Sequence, residues 1–494
     1  MGIVIRQSIK GTIATYIGAC IGFITTMFIR TKFVSAEDNG LISVILEIGF
    51  MFGLLAQLGT SSSAIRFFPY FKNKENNNNG FFFYLMALPF LGCVIFILAY
   101  LILKTPVTNF FIKESELIVS YYYWIIPLIV FSAYLFVFES YSIINMRITA
   151  CKFNREIIIR ILTLIVYLLY GYHLINRTGF VAATIATYGL AMLFLFFYLS
   201  RISSVSLRHD ISFLNKPLRI DIFKYSSYLL IGALGGAAIP KLDLFMVSAG
   251  MGLEYAGIYT IVTYIVAVID IPSRSIGSIS SPIASEAMKS GDLKRANKLY
   301  QTVSLHQLLT GGFLFVLIWI NIDNIFKIMP NGDTYSAGKW VFLFLGISRL
   351  VTLALSFGGA LISFSKHYHW SLYFTFFISA LGILTNYLLI PIWGITGAAI
   401  ASLLSCLLSY LAQQWIVFKK VKCNPYTLDL FKLIMILLVM TGINSFLGEI
   451  DNPWLDGIFR TSIIALIGTA LLYFFKISKD LNNIVLIIIK KIKK

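Results

Sequence analysis

Nine of the ionisable residues in or at the ends of otherwise apolar stretches are candidates for chemistry. Five are cations, Arg30, Arg66, Lys241, Arg274 and Arg349, and four are acids, Glu47, Glu139, Asp243 and Asp270. A charge at the centre of a membrane helix costs roughly 2.5–3.5 kcal/mol even on a lenient insertion scale, so such residues mark polar cavities or charge pairs. An arginine fork matches phosphate oxygens bidentately, so the cations could bind an anionic substrate. The carboxylates could bind a coupling H⁺ or Na⁺, or pair with the cations. Lys241 and Asp243 are two residues apart and point to different faces of an intact helix, so they need separate partners. Asp270 and Arg274 are four apart and can pair on one face. The plainer reading of Arg30, Arg66 and Arg274, near the ends of their apolar stretches, is snorkelling to headgroups. Lys241 and Arg349 lie further inside.

The densest of these stretches is 226–274, two apolar segments joined by the turn Met251-Gly252-Leu253-Glu254. The first segment is interrupted by Gly232, Gly235, Gly236 and Pro240, directly before Lys241 and Asp243. A Gly/Pro break frees backbone groups that hydrocarbon cannot satisfy, so it must face protein or water.

The elements that position these residues follow from composition. The chain has 494 residues, 58% hydrophobic and 13% charged, with mean hydropathy +0.83. Apolar runs of about 20 residues, each long enough to cross a ~30 Å hydrocarbon core, recur throughout. The fold class is therefore an all-α integral membrane protein, and ~10-residue alternating β-barrel segments are absent. The run at residues 9–29 is too long for a signal-peptide core and lacks a small-residue cleavage site.

Fourteen spans are expected, at about 9–29, 41–64, 81–103, 119–144, 157–175, 180–200, 226–248, 255–273, 302–322, 340–362, 371–390, 395–417, 431–447 and 457–475. The termini and the loops after even-numbered spans hold 29 Lys/Arg, against 7 in the opposite loops. That bias places both termini in the cytoplasm. It also accounts for the net charge of +18 without invoking nucleic acid. The segment 275–301 reads as an amphipathic helix on the inner surface. The tail at 482–494 is apolar, then basic, and would lie along an anionic inner leaflet.

The chain repeats itself. Glu37-Asp38-Asn39-Gly40-Leu41 matches Glu254-Tyr255-Ala256-Gly257-Ile258 at an offset of 217 residues. The run opening at Gly179 (GFVAATIA) matches the run at Gly394 (GITGAAIA) at an offset of 215. The run GTSSSAIRFFP from Gly59 corresponds loosely to GSISSPIASEA from Gly277. Six spans are thus followed by six in the same orientation, related by a pseudo-two-fold along the membrane normal, with two C-terminal helices added. The divisions are 1–224 (N-lobe, spans 1–6 and linker), 225–424 (C-lobe, spans 7–12), 425–480 (spans 13–14) and 481–494 (basic tail).

Motifs for other chemistry are weak. Gly332-x₅-Gly338-Lys339-Trp340 has one residue too many for a P-loop and lacks its Ser/Thr. Five scattered cysteines include no C-x-x-C pair, and His367-x-His369 is a poor metal signal. No cofactor is expected beyond the coupling H⁺ or Na⁺. Tyr121-Tyr122-Tyr123-Trp124 reads as an interfacial belt.

Fourteen spans, the six-plus-six repeat, the E-x-x-G-[LI] turn after spans one and seven, and the GAAIA run opening span twelve resemble the polysaccharide exporter family. This is the Wzx-type, lipid-linked oligosaccharide flippase family of the multidrug/oligosaccharidyl-lipid/polysaccharide exporter superfamily. Residues 59–71 (GTSSSAIRFFPYF) resemble the second-span end of bacterial members that handle lipopolysaccharide or capsule precursors. The resemblance implies a non-enzymatic transporter of the bacterial inner membrane. It would move undecaprenyl-pyrophosphate-linked oligosaccharide from the inner to the outer leaflet by alternating access. The cations would then meet the pyrophosphate, and spans 13–14 could hold the polyprenyl tail. Partners would be the lipid-linked oligosaccharide, membrane lipids, and polysaccharide polymerase and assembly proteins. An ion-coupled drug/cation antiporter of the same superfamily is the alternative, with acidic residues dominating its cavity and usually twelve spans. A membrane polysaccharide polymerase is a third reading, although such enzymes usually carry a large external loop.

Overall fold

A computed structural model describes residues 2–73, 77–202, 218–227, 230 and 241–477. The Gly232–Pro240 break, part of the linker after span six and the basic tail lie outside the described residues. Every regular element among the described residues is helical. Among the described residues, ten helices are long and apolar enough to cross a membrane, and Lys339–Leu355 with Phe357–Ser363 makes an eleventh as a pair bent by 44°. The chain is a multi-pass membrane protein. One of the ten, His369–Val421, is folded at Gly394, whose φ of 58° and ψ of −137° are open only to glycine, and it carries the two spans expected there. The fifth expected span is a continuous helical run made of Ile148–Phe153, a π-turn Asn154–Ile158 and Ile159–Gly171. Of the seventh, the apolar helix described is Leu242–Met251.

Two compact units are present, residues 1–260 and 261–494. In the first, the helices that bear on function are α1 (Gly2–Ile24), α2 (Ala36–Ala56), α3 (Lys104–Phe111), α4 (Ile125–Ile144), α5 (Ile159–Gly171), α6 (Arg177–Ile202), α7 (Leu242–Met251) and α8 (Leu253–Ala267, whose last turns pass into the second unit). Helix α4 is the hub, packed against α2 and α6. Its approach to α2 is set by Gly49 and Gly53, where a Cβ would fall 2.3 Å from Leu128 Cδ2 and 1.9 Å from Ser132 Oγ. Hydrocarbon gives helices no hydrophobic reason to associate, so close packing along such small-residue stripes and the Ser132 Oγ–H···O=C bond to Gly49 (3.1 Å) hold them together.

The two copies of the repeated turn meet in this unit. Ser35 caps α2, its Oγ accepting from the Asp38 amide at 3.1 Å, and Gly252 at φ 96° turns the chain from α7 into α8. Helices α2 and α8 then touch backbone to backbone. A Cβ on Gly40 would lie 1.9 Å from Leu253 O, and one on Gly257 would lie 1.9 Å from Ala36 O. Under the 217-residue offset Ala36 maps to Leu253 and Gly40 to Gly257, so the contact is its own image. The glycines of the E-x-x-G turn are there because nothing larger fits.

In the second unit the main helices are α9 (Ile271–Ser290), α10 (Leu293–Ile320), α11 (Lys339–Leu355), α12 (Phe357–Ser363), α13 (His369–Ile416), α14 (Leu428–Ile443) and α15 (Pro453–Phe474). Residues 275–301 differ from the surface helix expected. They extend α9 and α10 as a helical hairpin, turned at Gly291 (φ 73°) and restarted by Asp292, which accepts from the Arg295 amide at 2.9 Å. The small residues Ser280, Ala284 and Ala287 give α9 a buried face, so the segment packs where its charges alone suggested a surface. The bend between α11 and α12 leaves Leu355 O free of the helix ladder. It accepts instead from Tyr300 Oη (2.9 Å) and Gln414 Nε2 (3.1 Å). The tyrosine run also differs from expectation in part. Tyr122 is buried and stacks on Tyr100 at 4.2 Å, so it belongs to the core, while Tyr123 remains exposed.

Candidate functional site

In the first unit, the charges gather on α2 and its neighbours. Arg30 ends a π-turn, Thr25–Arg30, that continues α1; wide turns of this kind are frequent at functional sites. Its guanidinium donates to Asn39 Oδ1 (2.6 Å), Asn39 O (2.9 Å) and Ser43 Oγ (2.6 Å), and stands 5.9 Å from the centre of the Tyr167 ring. All three acceptors are neutral, so the positive charge is oriented but not cancelled. Asn39, Ser43 and Glu47 recur every four residues and share one face of α2. One turn beyond Ser43, Glu47 accepts from Lys241 Nζ at 2.5 Å. The two side chains are 26% and 38% exposed, so the pair is open to a ligand or water. Asp243, in the first turn of α7, accepts from Tyr259 Oη of α8 at 2.8 Å. Lys241 and Asp243 thus have separate partners, as their spacing requires.

Glu139 stands apart. It accepts both Arg155 Nε (3.1 Å) and Arg155 Nη2 (2.7 Å), a bidentate pair from α4 to the π-turn before α5. Arg66 is exposed and lies 4.2 Å over the Tyr225 ring, with no carboxylate in ion-pairing range among the described residues.

In the second unit, Asp270 Oδ2 lies 3.5 Å from Arg349 Nε. The four-residue spacing to Arg274 suggested a pair with that residue instead. Asp270 closes a 3₁₀ turn directly before α9, and its direct ion pair is with α11; Arg274 acts on the same carboxylate from one turn on. Thr352, one turn along α11 from Ser348, meets Cys406 of α13 at 3.3 Å. His367 and His369 have ring centres 6.3 Å apart, and no group of three or more metal-ligating side chains occurs among the described residues.

Two charge clusters escaped the sequence reading. Arg177 binds Asp38 Oδ1 (2.7 Å) and Glu37 Oε2 (3.2 Å), and Tyr170 Oη donates to Asp38 Oδ2 (2.7 Å), so the first E-x-x-G turn is anchored to α5 and α6. Nothing local in the sequence pairs residues 38 and 177. The other cluster is Asp456 and Arg460, 2.6 Å apart and both buried. Their four-residue spacing in an apolar helix was a signal available from the start.

The class defined by these features is a multi-pass helical membrane protein with charged groups inside its bundles. The fold is shared with solved flippase and transporter structures. Similar solved structures include the lipid II flippase MurJ in an inward closed conformation (TM-score 0.72, 14% identity, 95% of this chain and all of that one). An inward-facing multidrug resistance MATE family transporter superposes with a TM-score of 0.61, 13% identity, and 83% of this chain and 99% of that one. A MOP transporter from Pyrococcus furiosus, described as having a binding pocket of reverse polarity, gives a TM-score of 0.52, 13% identity, and 85% and 96% coverage. In sequence, the chain is 20% identical over 432 residues to an uncharacterized membrane protein of Methanocaldococcus jannaschii, covering 84% of each. No protein-family model matches the chain.

Proposed function

We propose that this chain is a flippase for lipid-linked oligosaccharide. It carries undecaprenyl-pyrophosphate-linked units of O-antigen, capsule or exopolysaccharide from the inner to the outer leaflet of a bacterial inner membrane, by alternating access and with both termini cytoplasmic. The observation that carries this reading is Arg30, whose guanidinium is held in place by neutral oxygens and has no carboxylate in ion-pairing range among the described residues. With Glu139 taken by Arg155, the candidate residues that remain are five cations against three carboxylates. That balance suits a pyrophosphate better than an organic cation. Arg30, Arg66, Lys241, Arg274 and Arg349 would share the anion as it passes. Glu47, Asp243 and Asp270 would neutralise the cations between cycles or take up H⁺ or Na⁺. Polysaccharide polymerase and assembly proteins would receive the product.

The test is single substitution to Ala at Arg30, Lys241 and Arg274, with surface polysaccharide measured at matched protein level. A hydrogen bond to a charged group contributes about 1.5–3 kcal/mol, so losing Arg30 should lower export roughly ten-fold or more. Wild-type export by all three variants overturns the anion role.

A second reading, an ion-coupled multidrug antiporter, is favoured by the Asp243–Tyr259 pair and by the likeness to MATE transporters. Deleting the gene separates the two. Changed drug susceptibility with intact surface glycan supports the antiporter.

A further inference from the structure

An open-sided cavity of 380 Å³ lies within the first unit, bounded by Ile48 and Phe52 of α2, Val107 and Phe110 of α3, and Phe245 of α7. This volume is within the range of small-molecule sites, about 300–1,000 Å³. Water would need two to four polar partners there. The polar side chain in the lining is Tyr100, and its hydroxyl already donates to Tyr122 O at 3.2 Å. The space suits hydrocarbon. Its aromatic and branched walls match a chain with methyl branches and double bonds.

The charged pair described above belongs to two of the helices that line this cavity. Glu47 directly precedes Ile48 and lies one helical turn from Met51, another lining residue; Lys241 lies one turn before Phe245. A hydrocarbon chain seated between α2, α3 and α7 would therefore bring an anionic group at its end to the half-exposed ammonium of Lys241.

We propose that this cavity is the isoprenoid subsite. It takes the part of the polyprenyl chain nearest the pyrophosphate, while Lys241 exchanges Glu47 for a phosphate oxygen. The inference rests on the flippase reading, which it deepens. It assigns the chain to α2, α3 and α7, whereas the sequence resemblance pointed to spans 13–14.

The experiment uses the full chain in lipid nanodiscs with a diazirine-bearing geranylgeranyl pyrophosphate, irradiated and mapped by peptide mass spectrometry. Labelling is expected in the peptides containing Met51–Phe52 and Val107–Phe110. Val107→Trp, which fills the cavity, should reduce it about ten-fold, the order expected for lost burial of two CH₂ groups. Because the wild-type map stands without the variant, a Val107→Trp protein that fails to fold does not spoil the test. Labelling confined to α14 and α15 overturns the subsite and leaves the flippase reading intact. Equal labelling by a diazirine phosphatidylglycerol overturns the isoprenoid assignment in favour of a resident lipid. No labelling at any site, with no saturable binding of the pyrophosphate, overturns the subsite and the flippase reading together.

Discussion

Two arginines in the apolar helices meet opposite surroundings. Arg460 in α15 is 8% exposed, and each of its three guanidinium nitrogens has an acceptor: Asp456 Oδ2 at 2.6 Å, Asn444 Oδ1 at 2.8 Å and Gly448 O at 3.1 Å. Its partner Asp456 is 5% exposed and also accepts from Asn324 Nδ2 (2.6 Å) and the Ile450 amide (3.1 Å). This is a closed network that ties the start of α15 to the chain before it. Arg30 is the reverse case, with neutral acceptors only among the described residues, and one turn along the same face of α2 lies an ion pair that solvent or a ligand can reach. An ionisable residue in a span is thus not by itself a sign of function. What separates the two is whether the charge is cancelled and sealed, or oriented and left open.

The largest expected effect would break the sealed side of that comparison. Removing one partner of a buried pair leaves an uncompensated charge and costs about 3–5 kcal/mol. Arg460→Ala should therefore lower the melting temperature sharply in detergent, while the folded fraction still transports. If Arg460→Ala melts like wild type but fails to transport, the network is part of the site and the contrast is wrong.

Next comes the glycine contact between α2 and α8. Gly40→Ala and Gly257→Ala each place a methyl where a backbone oxygen stands at 1.9 Å, so the helices must separate. Overpacking of this kind costs about 1–3 kcal/mol, and because the two sites share one contact the double variant should cost less than the sum. Gly277→Ala and Gly442→Ala are the controls, since nothing lies within 4 Å of an added Cβ at either. Thermal melting of the five proteins checks both the size and the non-additivity.

Much of this arrangement was legible in the chain, and the reasons are physical. Apolar run length forced membrane helices, and the paired E-x-x-G turns announced a repeat whose copies now touch at Gly40 and Gly257. Lys241 and Asp243 had to find different partners because a helix turns 100° per residue. What could not be read was partner identity across elements. Glu47 lies 194 residues from Lys241, and Asp38 lies 139 from Arg177. Only packing brings such residues together. Local pairing rules misled at Asp270 for the same reason, since its direct ion-pair partner, Arg349, comes from another helix. The hairpin at 275–301 was read as a surface helix because its charges outweighed the small residues that bury one face of α9.

The open side of the comparison predicts smaller stability effects and larger functional ones. Lys241→Ala should leave melting within a few degrees of wild type, because a pair this exposed is worth little more than a surface salt bridge, about 0–1 kcal/mol. Transport should nevertheless fall, since the cation is gone. A melting loss like that of Arg460→Ala would place Lys241 on the sealed side.

The smallest effect is expected at Arg349. Its contact to Asp270 is long at 3.5 Å, and its side chain is 41% exposed. Asp270 also keeps Arg274 within electrostatic reach when Arg349 is removed. Arg349→Ala should accordingly melt like wild type and transport at a moderately reduced rate, and Arg274→Ala should behave alike. The double variant strips Asp270 of both cations and should lose more than the two single losses combined. Strict additivity of the rates would mean that the two arginines act on separate groups, and that the second unit has no counterpart of the open cluster around Arg30 and Lys241.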